Sequence, residues 1–87
     1  MTDVTIYSTQ LCGYCAAARR LLKDKGVAYN EIDVTFNREA RADMMSKLDG
    51  GHTTPQIFIG GIHVGGYDEL YEMDQAGKLD ILLAPDG

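Results

Sequence analysis

The chain has 87 residues, 45% of them hydrophobic and 24% charged, and its 13 acidic against 8 basic side chains give a formal net charge of −5. That length leaves room for one domain over residues 1–87 with a small core, and the composition argues against disorder. The acidic balance, with no basic cluster beyond Arg19-Arg20, argues against a nucleic-acid partner, and no run approaches the roughly 20 apolar residues that a membrane span needs.

The start, Met1-Thr2-Asp3-Val4, has neither a basic segment nor a long apolar run. No signal peptide is expected, and the chain is placed in the cytoplasm. In a compartment that keeps thiols reduced, a close pair of cysteines is catalytic or metal-binding rather than structural.

Val4 to Ser8 alternates β-formers and reads as a strand. The run from Cys15 or Ala16 to Lys25 carries apolar Ala18, Leu21 and Leu22 between charged residues. That is a one-sided helix, and Gly26 stops it at a C′ position. Val27 to Val34 reads as a second strand, so the first three elements make a βαβ unit with parallel strands. Thr35 or Asn37 caps a second helix through about Leu48, burying Ala40, Met44, Met45 and Leu48, and Asp49-Gly50-Gly51 ends it. After Thr53-Thr54-Pro55 the apolar run Gln56 to Ile59 is a third strand, Gly60-Gly61 a two-residue hairpin, and Ile62 to Val64 the antiparallel return. Gly65-Gly66 opens a third helix from Tyr67 to Ala76, with Asp68 and Glu69 in its first turn, where carboxylates are favoured. Gly77 interrupts, Leu79 to Ala84 makes a last apolar turn, and Pro85 ends the pattern. The order implies a four-stranded mixed sheet with helices on both faces.

Both cysteines lie in Cys12-Gly13-Tyr14-Cys15, where the first strand hands over to the first helix. Bare backbone N–H groups and the positive end of the helix dipole favour an anion there. A thiol so placed ionises more readily, and the thiolate is the form that attacks disulfides. The second cysteine, one turn in, can close or reopen a disulfide with the first. A zinc site needs two further ligands, and His52 and His63 lack the spacing. Met44-Met45 reads as core filler rather than a soft metal site.

Cys-x-x-Cys after the first strand, Thr54-Pro55 before the third and Gly65-Gly66-Tyr67-Asp68 after the fourth together resemble a glutaredoxin, over nearly the whole chain. The resemblance implies a thioredoxin-like α/β fold, β-α-β-α-β-β-α. It implies glutathione-dependent reduction of protein–glutathione mixed disulfides and protein disulfides. Cys12 is then the nucleophile and Cys15 the resolving thiol. Pro55 is similar to the family's cis-proline, with the Thr54 backbone pairing with the cysteinyl part of glutathione. Gly66, Tyr67 and Asp68 meet the carboxylate and amino group of its γ-glutamyl end, and Tyr14 flanks its sulfur. Arg38 and Arg41 are candidates for its glycyl carboxylate, against a reading as solvated helix charges. The partners implied are glutathione and glutathionylated or disulfide-bearing proteins.

The chain departs from the family pattern in three places. Many glutaredoxins carry a lysine shortly before the first cysteine, where this chain has Ser8-Thr9-Gln10 and no cation. The thiolate must then rest on hydrogen bonds and the helix end, and weaker glutathione binding is expected. Tyr67 stands where many relatives have a smaller residue. Gly13 replaces the commoner proline, and members with Gly or Ser there are similar to those holding a [2Fe-2S] cluster between two subunits. The expectation is a monomer that dimerises if cluster-loaded, with Cys12 as the metal ligand and glutathione thiolates completing the set.

Overall fold

The computed structural model describes residues 3–48 and 53–83. Its elements in chain order are β1 (Val4–Ser8), α1 (Gly13–Asp24), β2 (Asn30–Asp33), α2 (Arg38–Ser46), β3 (Gln56–Ile59), β4 (Ile62–Gly65), α3 (Tyr67–Gln75) and α4 (Lys78–Leu83). The four strands form one sheet in the order β2-β1-β3-β4. β1 runs parallel to β2 and antiparallel to β3, and β3 antiparallel to β4, so the sheet is mixed.

Alternation along β1 sends side chains to two cores. Val4 and Ile6 join Ile57 and Ile59 of β3 under Ala18 and Leu22 of α1, Leu70 of α3 and Leu79 of α4. Tyr7 turns the other way and packs with Val34, Met44 and Leu48, and Phe58 lies edge-on to its ring. Helices therefore cover both faces, as period-two strands with two apolar sides require. Tyr7 also holds α2 in place. Its hydroxyl donates to Asp43 Oδ2 at 3.0 Å and accepts from Lys47 Nζ at 2.8 Å. On the other face Lys25, at the end of α1, reaches Asp74 of α3 and Asp80 of α4.

Several boundaries differ from the sequence reading. α1 begins at Gly13, so Cys12 itself is the N-cap. The second strand is shorter than Val27–Val34. Val27 N–H still bonds Leu22 O of α1 at 3.2 Å, and pairing with β1 begins only at Asn30 opposite Thr5. Asn37, not Thr35, caps α2, its Oδ1 accepting from Ala40 N–H at 3.0 Å. Met45 is not buried. Ala40, Met44 and Leu48 are four residues apart and share one stripe, whereas Met45 sits about 100° round the helix and faces solvent. The segment after Gly77 is a helix of its own, anchored by the fully buried Leu79. The expected stops at Asp49-Gly50-Gly51 and Ala84-Pro85 lie outside the described residues, as does His52.

Gly60 and Gly61 turn the hairpin with φ of 58° and 83°, the left-handed pair that a tight primed turn demands. A bulge between β3 and β4 puts Gly65 opposite Ile57 and His63 opposite Phe58. It redirects the chain into α3 beside the Thr54–Pro55 peptide, which is cis.

Candidate active site

The site forms at one end of the central strand. β1 ends at Ser8, the chain crosses Thr9, Gln10 and Leu11, and α1 starts after Cys12. Cys12 has extended dihedrals, φ −127° and ψ 111°, as an N-cap should, and its sulfur accepts from Cys15 N–H at 3.3 Å. Cys15, one turn in, points into the fold and is fully buried, while Cys12 stays half-open to solvent. Both thiols are free.

The Thr54–Pro55 segment lies against this pair. Thr54 O is 3.7 Å from Cys12 Sγ, and the hydroxyls of Thr9 and Thr54 bond each other at 3.1 Å, tying the loop before Cys12 to the loop before β3. Beside them opens a cleft of about 340 Å³, lined by Tyr14, Thr53, Thr54, Pro55, Gly66, Tyr67, Asp68 and Glu69. The six residues expected at a ligand site besides the cysteines therefore share one wall system. The Tyr14 and Tyr67 rings stand 6.3 Å apart. A larger cavity of about 670 Å³ lies on the α2 face among Tyr7, Asp43, Lys47, Phe58 and His63, and none of these adjoins a thiol, whereas Tyr14 and Thr54 of the smaller cleft flank Cys12. Chemistry therefore points to the smaller cleft.

The two sulfurs are pushed in opposite directions. Burial raises the Cys12 thiol, but hydrogen bonds from the Cys15 thiol and N–H, from Thr54 and from Tyr14 N–H outweigh it, and its pKa falls below the ordinary value. Burial, then the hydrogen bond with Cys12, pushes Cys15 up. The groups that acidify Cys12 are hydrogen-bond donors rather than a cation. Ser8, before the loop to Cys12, is buried and donates to Glu31 Oε2 at 2.6 Å, which also pairs with Arg19 at 2.8 Å. One sulfur is thus solvent-facing and the more readily ionised, the other buried and held toward its thiol form, the pairing that disulfide exchange uses.

The start of α3, expected to meet the γ-glutamyl carboxylate, has one N–H group fewer to offer. Gly66 N–H is already taken, donating to Glu69 Oε1 at 2.7 Å. Glycine has no side chain to return the bond, so the first N–H groups of α3, from Tyr67 onward, remain for a ligand anion. The Gly66-x-x-Glu69 spacing, N-cap to third helical residue, carried this signal in the sequence. Thr9 and Thr53 also enter the site, and nothing in the sequence marks them. Arg38 and Arg41 do not reach the cleft; they line a separate cavity with Phe36. His63 lies on β4, stacked on Phe58 at 4.9 Å and bonded through Nε2 to Gln56 Oε1 at 2.7 Å, away from the thiols.

The glutaredoxin family model matches residues 4–64, which include Cys12, Cys15, Thr54 and Pro55. The chain belongs to the glutaredoxin family. A glutaredoxin of Pseudomonas aeruginosa is 48% identical over 84 residues, covering 97% of this chain and 99% of that one. The solution structure of a glutaredoxin from Brucella melitensis is 52% identical, with a TM-score of 0.83 over 95% of this chain and 89% of the other. A buckwheat glutaredoxin–glutathione complex is 30% identical, with a TM-score of 0.84 over 94% and 76% of the two chains. The thioredoxin-like fold and the general function of the family, thiol–disulfide exchange, are thereby those of this chain.

Proposed function

We propose that the protein is a glutathione-dependent oxidoreductase of mixed and protein disulfides. The Cys12 thiolate attacks the glutathione sulfur of a mixed disulfide. The glutathione–protein S–S bond breaks, a Cys12–glutathione disulfide forms, and the protein leaves as a thiolate that takes a proton from water. A second glutathione thiolate then attacks the glutathione sulfur on Cys12, releasing glutathione disulfide and restoring the Cys12 thiolate. Alternatively, Cys15 loses its proton and displaces glutathione, giving the Cys12–Cys15 disulfide, which two glutathione molecules reduce.

The observation that carries this reading is the cleft beside Cys12. Thr54 offers backbone groups beside the cis-proline, the first turn of α3 offers N–H groups for a carboxylate, and Asp68 offers an acceptor for an ammonium. A carboxylate and an ammonium on one carbon are what the γ-glutamyl end of glutathione presents. The buckwheat relative, solved as a glutathione complex, supports glutathione as the ligand. Replacing Cys15 with serine tests it. Turnover of glutathionylated peptide should survive, since one sulfur suffices, and should vanish with Cys12→Ser. Loss of all turnover in Cys15→Ser would mean a two-cysteine cycle instead.

The open flank of Cys12 favours a second reading beside the first. A Cβ built on Gly13 meets nothing within 4 Å, and Cys12 is half-open to solvent. Among the described residues no three His, Cys, Asp or Glu side chains stand close enough to hold a metal. This chain's donors therefore fit a [2Fe-2S] cluster only as a shared group, one Cys12 thiolate from each of two copies with glutathione thiolates beside them. When bound, such a cluster would store and pass single electrons. Iron-dependent colour lost with Cys12→Ser and kept with Cys15→Ala would establish it. Colourless protein after anaerobic purification with glutathione would remove it.

A further inference from the structure

The sheet order places β1, and Cys12 after it, between two different neighbours. On the β3 side lies the cleft described above; on the β2 side lies the loop from β2 to α2. β1 and β2 are parallel with Ser8 opposite Asp33, so both strands deliver their following loops to the same end of the sheet. The two loops are clipped together. Gln10 N–H donates to Thr35 Oγ1 at 2.9 Å, and Gln10 Nε2 donates to Asp33 Oδ2 at 3.1 Å. Asp33 Oδ1 accepts from Thr35 N–H at 2.9 Å and its hydroxyl at 2.6 Å, so the one carboxylate of these loops is occupied.

The residues next to these clips are the two most exposed large apolar side chains of the described chain, Leu11 at 101% and Phe36 at 90%. An exposed leucine alone is ordinary. Two on adjacent, hydrogen-bonded loops beside a reactive sulfur form a surface prepared for contact. Phe36 also borders a cavity of about 270 Å³ shared with Arg38 and Arg41, and Glu39 between them does not line it. Among the described residues neither arginine has an ion-pair partner.

We propose that Leu11, Phe36, Arg38 and Arg41 form the docking face for the protein half of a mixed disulfide. The face selects segments with an apolar side chain beside the reactive cysteine and a carboxylate further along. The proposal rests on Cys12 as the attacking sulfur. With glutathione seated on the β3 side, the protein bonded to it must approach Cys12 from elsewhere, and this is the apolar flank continuous with the thiol. The cationic cavity beyond it supplies the charge preference.

Two peptides test this: one with leucine and glutamate around its cysteine, the other with serine and lysine. Each is prepared as a mixed disulfide with glutathione and with 2-mercaptoethanol, and the first-turnover release of peptide thiol is timed. The protein should release the leucine–glutamate peptide about tenfold faster from either disulfide, the fold-change expected for partly burying one aliphatic side chain. The variant with Leu11, Phe36, Arg38 and Arg41 all replaced by serine should lose that preference and keep its rate on glutathionylated free cysteine. Equal rates for the two peptides, or a preference that survives in the variant, would overturn the docking face. The glutathione reading is scored separately, by faster release from glutathione than from 2-mercaptoethanol on the same peptide.

Discussion

Cys12 does two things that mutation can separate. As the N-cap of α1 its sulfur accepts one N–H at 3.3 Å, and as an acidified thiol it carries charge at the positive end of that helix. A neutral sulfur is a weak acceptor, so the cap contributes at the low end for such residues, about 0.5 kcal/mol. Ionised, the same bond is roughly twice as strong, and the charge at the helix end adds about 0.5 kcal/mol, for about 1.5 kcal/mol altogether. Cys12→Ala should therefore cost about 0.5 kcal/mol at about pH 5 and about 1.5 kcal/mol at about pH 10. The sign follows from the lowered pKa of Cys12 in the fold. Between the folded and unfolded values the unfolded chain binds more protons, so stability rises with pH. The gain is complete above the unfolded value and is lost as pH falls through the folded one. Cys15 is shifted the other way, mainly by burial common to all three proteins, and largely cancels in the difference. Cys12→Ser keeps an oxygen cap that does not titrate in this range, and should match or exceed the parent at acid pH. Urea unfolding of the three reduced proteins at both pH values checks this. A gap between parent and Cys12→Ala that does not widen with pH would refute the charged cap. So would a Cys12→Ser protein as weak as Cys12→Ala.

Gly13→Pro should stabilise the fold by up to about 1 kcal/mol. Cys12 already holds dihedrals that a following proline accepts, position 13 is the first residue of α1, and an added Cβ meets nothing; a lower urea midpoint would contradict this. Leu79→Ala should cost about 2–5 kcal/mol, because this fully buried side chain is what fastens α4 to the core, and unfolding curves would expose a smaller loss. Asp68→Asn should raise KM for glutathionylated peptide about tenfold with kcat little changed, as expected for loss of one charge-assisted contact in binding. A fall in kcat alone would place Asp68 in the chemistry instead.

The fold was legible where one principle dominated locally. Alternation in Val4–Ser8, the one-sided run in α1 and the Gly60-Gly61 turn each allow a single structure, and the observed elements agree to within a few residues. Boundaries shifted where long-range pairing decided them. Val27 to Tyr29 has the composition of a strand, but β1 offers partners only from Thr5 onward, so the ladder starts at Asn30. Met45 reads as apolar filler until the stripe Ala40–Met44–Leu48 is fixed by the sheet beneath it. In the site, the motif residues that the resemblance singled out lie together, because each sits at an element end delivered to the same edge. Thr9 enters through a hydroxyl pair with Thr54, 45 residues away, and no local pattern encodes such a contact. Arg38 and Arg41 carry the right charge for a carboxylate, but α2 starts on the β2 side of the sheet and takes them away from the cleft.

The central claim is that Cys12 alone accepts glutathione. The most direct measurement is intact-mass and peptide analysis of the Cys15→Ser protein after exposure to glutathione disulfide. The account predicts one glutathione per chain, on the peptide containing Cys12, removed by added glutathione and absent from Cys12→Ser. An unmodified Cys15→Ser chain, or a Cys12→Ser chain that takes up glutathione on Cys15, would contradict it.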